Sequence, residues 1–315
     1  MARFVRPPVS AMTGGARKVI ISCAVTGRAH TPSMSDFLPF TPERIAEQAV
    51  EAARAGAAVL HLDARNPADG SPAPSTGILE GIAASIRQQT DAIIAAPAGE
   101  PAGDIQTLSM GAVSHSYRKA FRGISDWKFD WEKSFVDESE NLFLGNTLGA
   151  IKAILARPVS DGRGAPFLYE CHDPSHLYNL AYCAEEGLAS GPFFIQFHIG
   201  MVGGLGSDPE NVSLMRSTAD RLFGRENYAF SVAAHGRRQI PLAALAAIAG
   251  GHVRVGLADS LYLGKGLLAE SCAAQVLKIR RILEDLSFAV ASASEAREIL
   301  GAHRSANPER MTGEA

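Results

Sequence analysis

Residues 228–257 read YAFSVAAHGRRQIPLAALAAIAGGHVRVGL, and the fold follows from this stretch. Tyr228 to Ala234 is a nearly continuous apolar run of strand length, closed by His235-Gly236. Pro241 to Ala249 reads as a helix that stops at Gly250-Gly251, and Val253 to Leu257 is a second apolar run. Strand, helix and strand in succession form a parallel βα unit, since parallel neighbours need a crossover between them. Apolar runs without strict alternation mark strands covered on both faces.

Working outward, the same rhythm repeats. Strands are predicted at Val19 to Ala24, Ala58 to Asp63, Ala92 to Ala96, Ile105 to Met110, Pro166 to Cys171 and Phe193 to His198. Helices are predicted from Thr41-Pro42-Glu43 to Gly56, then over Thr76 to Gln89, Pro174 to Gly187, Asn211 to Phe223 and Leu267 to Leu286. Thr41 can cap its helix and Pro42 suits the first turn. Ser294 to Leu300 reads as a capped extra helix, and the polar tail after His303 as loose chain. Eight strands in this order favour a closed (β/α)8 TIM barrel over an open dinucleotide-binding sheet. Gly203-Gly204-Leu205-Gly206, after the sixth strand, lacks the GxGxxG spacing. All 315 residues then form one domain with an N-terminal arm.

Two places break the rhythm. Only Pro97 to Asp104 separates the third and fourth strands, and it carries two prolines and two glycines. That is too short for the usual crossover and hostile to a helix, so the helix between strands 3 and 4 is expected to be missing. Gly111 to Phe143, conversely, is a long connection holding Trp127, Phe129 and Trp131 among charges. It is expected to be an ordered excursion over the rim or against a partner subunit, and the flank left by the missing helix is expected to be covered by it or by another subunit.

The formal net charge is −3 with both signs interspersed, which gives no footing for a nucleic-acid or membrane partner. No segment reaches the ~18 apolar residues of a membrane span. Cys23, Cys171, Cys183 and Cys272 form no CxxC pair and fit reduced thiols in a cytoplasmic protein.

Barrel enzymes work at the C-terminal ends of their strands. His61 and Asp63 lie two apart on one strand and share a face, as two ligands of a divalent metal or as a hydrogen-bonded lumen pair without one. Glu170 and His172 share a face at the end of the fifth strand. Glu170 can serve as a base or as a salt-bridge partner. Arg254 suits carboxylate recognition, and Asp259 either orients it or caps the next segment. His198 and His235 end the sixth and seventh strands.

Five stretches resemble the β-keto acid cleavage enzymes, a family founded on the 3-keto-5-aminohexanoate cleavage enzyme. They are Cys23 to Gly27 with His30 to Ser35, Ala57 to Arg65, His176 to Leu180, Thr218 to Gly224, and Gly250 to Ser260. The resemblance runs from about Lys18 to Leu300 and implies a TIM barrel with Zn2+. It also implies a reaction of a β-keto acid with acetyl-CoA that gives acetoacetate and a new acyl-CoA. By position, the catalytic arginine and aspartate fall on Arg254 and Asp259, and the strand-five glutamate on Glu170. The zinc histidines fall on His61 and Asp63, and the zinc glutamate falls on Ala258, which cannot bind metal. Hydroxyl residues at the ends of strands three and four fall near Pro97 and Ala112 and are lost.

A relocated zinc site of His61, Asp63 and His235 with solvent as fourth ligand is one expectation. The other is loss of the metal, with His198 and His235 hydrogen-bonded to Asp63 and Glu170. Two functions follow from this. One is a β-keto acid cleavage enzyme using acetyl-CoA. The other is a non-catalytic relative that binds a small carboxylic acid or acyl-CoA. A homo-oligomer is expected in either case.

Overall fold

The computed structural model describes residues 16–73, 77–157 and 166–302. The arm before Ala16, Thr76 and the tail from His303 lie outside the described residues. Eight strands close into a barrel: β1 (Ile21–Ala24), β2 (Val59–His61), β3 (Ile93–Pro97), β4 (Ile105–Ser109), β5 (Phe167–Cys171), β6 (Phe193–Ile199), β7 (Tyr228–Ala234) and β8 (His252–Val255). Every neighbouring pair is parallel, and β1 pairs with β8 to complete the ring.

The alternation of each strand divides its side chains between two environments. Ile21, Cys23, Leu60, Ile94, Ile195, Phe197, Val232 and Val253 pack outward in the cores beneath the helices. Ser22, His61, Gln196, Ser231 and Arg254 hold the opposite parity and are buried. The barrel interior is therefore polar towards its C-terminal end. Its N-terminal end is apolar: Ile20, Val59, Ile93, Ile105, Leu168 and Phe194 pack with Ala296, Ile299 and Leu300 of the last helix, α9 (Ala293–Leu300). The expected capping is present there, with Ser292 and Glu295 forming a reciprocal box.

The other helices are α1 (Pro42–Ala55), α2 (Ile78–Gln89), α3 (Asp130–Glu138), α4 (Leu148–Leu155), α5 (Pro174–Glu185), α6 (Pro209–Phe223), α7 (Gln239–Ile248) and α8 (Cys272–Asp285). Thr41 accepts the Arg44 N–H at the start of α1, as the sequence suggested. The helix expected from Leu267 starts only at Cys272, where Ser271 caps it by accepting the Ala274 N–H. Leu267–Leu268 instead pairs with Tyr262–Gly264 in a small hairpin.

No helix lies between β3 and β4. The chain turns back within seven residues, and Asp104 fixes the return. Its carboxylate accepts the Ile94 N–H at 2.9 Å and Arg87 at 2.9 Å, while its own N–H reaches the Ile94 carbonyl at 2.7 Å. The flank is shared by two neighbouring helices. Ile94, Ala96 and Ala102 pack with Leu79, Ile82 and Ile86 of α2. Leu108 and Met110 pack with Ile151 of α4.

The excursion over residues 111–143 thus does not cover this flank; it takes the place over the rim that the sequence also allowed. It crosses the mouth of the barrel, where its aromatic and acidic groups find loop partners. Trp131 Nε1 donates to the Asp69 carbonyl at 3.1 Å, and Phe129 meets Phe40 edge-on. The buried Glu132 carboxylate accepts the Ser33 hydroxyl at 2.9 Å and the Ser33 N–H at 3.0 Å. Ser116 bridges to Val202 on the far side.

Candidate active site

Arg254 stands on β8 with its side chain in the lumen. The chain then folds back on itself at Gly256, whose φ of +137° and close approach leave no room for a side chain: a Cβ there would lie 2.0 Å from the Ala24 carbonyl oxygen. This turn brings Asp259 back onto Arg254. Nε and NH2 of the guanidinium each donate to one Asp259 oxygen at 2.8 Å, a bidentate pair. NH1 donates to Gln196 Oε1 on β6 at 2.7 Å. Two of the five guanidinium donors remain uncommitted.

Both partners are buried. Burial alone would lower the Arg254 pKa, but the Asp259 charge and hydrogen bonds outweigh it and hold it above the ordinary arginine value. Burial would likewise raise the Asp259 carboxyl, and the Arg254 charge and hydrogen bonds outweigh that and hold it below the ordinary range. The pair is ionised at neutral pH.

Around it stand neutral imidazoles. His61, His172 and His198 are pushed well below the usual histidine pKa, chiefly by burial. His235 is pushed to about 4 for the same reason, against the opposing pull of Asp259. His235 Nδ1 lies 3.8 Å from Asp259 Oδ1, beyond hydrogen-bond reach. Glu170 Oε1 lies 4.0 Å from Arg254 NH1 and 3.7 Å from His198 Nε2.

The structure therefore gathers Arg254, Asp259 and Glu170 in one place. It does not gather His61, Asp63 and His235 into one ligand set. His61 Nε2 is buried without a hydrogen-bond partner. Asp63, its carboxyl raised by burial against the pull of Arg28, pairs with Arg28 at 3.5 Å. Ala258 supplies no donor and packs so closely on Gly27 that a Cβ at Gly27 would meet its Cβ at 2.7 Å. Among the described residues, the group with converging donors is Glu170, His172 and His198, whose ligand atoms all lie within 4.8 Å of one another. The residues at the family's zinc positions do not fit the metal.

Three other residues escaped the sequence reading. Gln196 interrupts an apolar run two residues before His198, and that parity was its only signal. Arg65 is fully buried and ties the loops after β1 and β2 together, donating to the Gly70, Thr26 and His30 carbonyls. His115 arrives from the excursion, with Nε2 3.2 Å from His172 Nδ1. Asp173, directly after His172, caps α5 by accepting the Ser175 N–H at 2.7 Å.

Known proteins show the same architecture. The chain is 42% identical over 306 residues to the 3,5-dioxohexanoate:acetyl-CoA acetone transferase of Paraburkholderia graminis, covering 92% of this chain and 98% of that one. It is 33% identical to the 3-dehydrocarnitine:acetyl-CoA trimethylamine transferase of Rhizobium meliloti, covering 90% and 96%. It is 31% identical to the 3-keto-5-aminohexanoate cleavage enzyme of Acetoanaerobium sticklandii, covering 90% and 98%. Among solved structures, ObcA in a ternary complex with a C4-CoA adduct and oxalate superposes with a TM-score of 0.61 at 17% identity. That match covers 85% of this chain and 68% of ObcA, and it speaks for the fold. With residues 18–302 matching the family described as beta-keto acid cleavage enzyme, the chain belongs to the β-keto acid cleavage enzymes.

Proposed function

We propose that this protein reacts a β-keto acid with acetyl-CoA to give acetoacetate and a new acyl-CoA, with Asp259 as the base and Arg254 as the carboxylate anchor. The observation that carries this reading is the buried, bidentate Arg254–Asp259 pair with two guanidinium donors still free. A substrate carboxylate taking those donors shares the arginine charge with Asp259. The hold on the Asp259 proton affinity then loosens, and the base strengthens when substrate is present.

The electron flow balances without an external oxidant or reductant. Asp259 removes a proton from the carbon between the keto and carboxylate groups, leaving an enolate. The enolate carbon attacks the thioester carbonyl and expels the CoA thiolate. The thiolate adds to the original keto carbon, and the bond between that carbon and the former enolate carbon breaks. The acyl-CoA departs, and the acetoacetate enolate recovers its proton from Asp259. The unpartnered Nε2 of neutral His61 is the lumen donor best suited to an enolate oxygen.

The four cysteines are unbridged and buried, which agrees with a cytoplasmic protein. Among the described residues, no helix is long and apolar enough to cross a membrane. The 42% identical relative makes 3,5-dioxohexanoate the first substrate to assay. Asp259→Asn should lower kcat by ~10²–10⁴-fold while the fold survives. Unchanged kcat in this variant would remove Asp259 from the reaction. A protein that acetyl-CoA and the keto acid stabilise thermally, but that forms no acyl-CoA by mass spectrometry, would be a binder instead.

A further inference from the structure

We propose that the divalent-metal centre of this chain lies at Glu170, His172 and His198, on the β5–β6 side of the lumen. The resemblance would have put it on the β2 and β8 side. The inference concerns metal binding and stands apart from the reaction proposed above.

Strand register builds the set. Glu170 pairs with Gln196 and Cys171 with Phe197, so the next step along both strands places His172 beside His198. Glu170 and His172 are two apart and share a face. The His172 and His198 rings stack with centroids 4.5 Å apart and 26° between their planes. All three donors lie within 4.8 Å of one another. Two neutral imidazoles and a carboxylate are a known catalytic zinc set that leaves a fourth position for solvent, and they suit other divalent transition metals as well.

Two further observations point to an ion rather than a hydrogen-bonded cluster. His198 Nε2 is buried and has no hydrogen-bond partner; its nearest carboxylate oxygen, on Glu170, is 3.7 Å away, too far for one. A metal between them would satisfy both atoms. His172 Nδ1 is engaged by His115 Nε2 at 3.2 Å, which leaves the His172 Nε2 for the metal. That outer hydrogen bond is the kind that orients metal-bound imidazoles. Tetrahedral zinc with ligands at ~2.0–2.1 Å holds its donors about 3.3 Å apart, so the side chains must close inward by about 1.5 Å at most. The nearest cation, Arg254, has its charge matched by the bidentate Asp259.

The experiment uses the full chain, stripped with chelator and dialysed. Zn2+ binding is followed by calorimetry, and Co2+ binding by its visible absorption. One equivalent should bind. His172→Asn, His198→Asn and Glu170→Gln should each weaken Zn2+ by more than ~100-fold and erase the Co2+ bands. His115→Ala should weaken it ~10–100-fold, as loss of an outer partner does. His61→Ala should leave the affinity unchanged. Melting curves in chelator confirm folding of each variant, and Glu170→Gln keeps the side-chain shape should a histidine change disturb the lumen. The assignment is overturned if wild type binds no tighter than the His172→Asn/His198→Asn double variant, or if His61→Ala abolishes binding.

Discussion

Arg254 ties three elements together through one planar group: its own strand, the turn that brings back Asp259, and Gln196 of β6. A lysine keeps the charge but offers one point of contact where the guanidinium offers a fork. Arg254→Lys should therefore raise KM for the keto acid at least ~10-fold, about the worth of one charge-assisted hydrogen bond. It should also lower kcat, because Asp259 loses its alignment. Steady-state kinetics separates the two effects, and an unchanged KM would remove Arg254 from substrate binding. Both members of the pair were legible in the sequence, since they lie five residues apart and keep the family pattern. The histidine cluster was not. His115 and His172 are 57 residues apart and meet only because the excursion folds over the mouth. Asp63 shares a strand face with His61, yet it pairs with Arg28, a long side chain from the loop after β1 whose reach spacing does not reveal.

The elements were legible wherever burial on both faces produced an unbroken apolar run. Tyr228 to Ala234 and the missing helix after β3 stand as read, because the short stretch from Pro97 to Asp104, with two prolines and two glycines, leaves no alternative. Reading failed where one surface did not dictate the pattern. α3 sits in the polar excursion, and α4 follows it with a single fully buried side chain, Ile151. The aromatic residues of the excursion announce a contact over the rim, but not which loops receive them. Glu132 holds it down, accepting from the Ser33 N–H, the Ser33 hydroxyl and the Phe129 N–H at 3.1 Å. Glu132→Gln would turn an NH2 group onto these donors and should cost ~1–3 kcal/mol locally. Limited proteolysis should then cut within residues 111–143 well before the barrel, and protection equal to wild type would mean that Trp131 and Phe129 suffice as anchors.

At the scale of the molecule, the barrel encloses imidazoles whose neutral form is enforced, and this makes its stability depend on pH. His252 is the clearest case because it lies away from the site. Its Nδ1 accepts the Ile20 N–H at 3.1 Å, and it stands in edge contact with Phe194 near the apolar end of the lumen. Burial, with the Arg17 and Arg225 charges, pushes its pKa to about 3, and protonation would also break the bond to Ile20. The sign is fixed by linkage. Above about pH 6.5 the imidazole is neutral both folded and unfolded, and its contribution is fully present. As pH falls from there toward 3, the unfolded chain gains a proton that the folded chain refuses, so stability is lost at up to about 1.4 kcal/mol per pH unit. His30 and His235, each at about 4, act in the same direction, whereas Asp63, raised by burial, opposes them. Asp259 is held below its ordinary range and enters only at lower pH. Tm should therefore fall steadily between pH 6.5 and 4. His252→Gln, whose amide oxygen can still accept from Ile20, should flatten that slope by about one proton and leave Tm near pH 7.5 little changed. A variant slope equal to wild type would show that His252 takes up its proton in the folded state, and that the buried hydrogen bond to Ile20 does not hold it neutral.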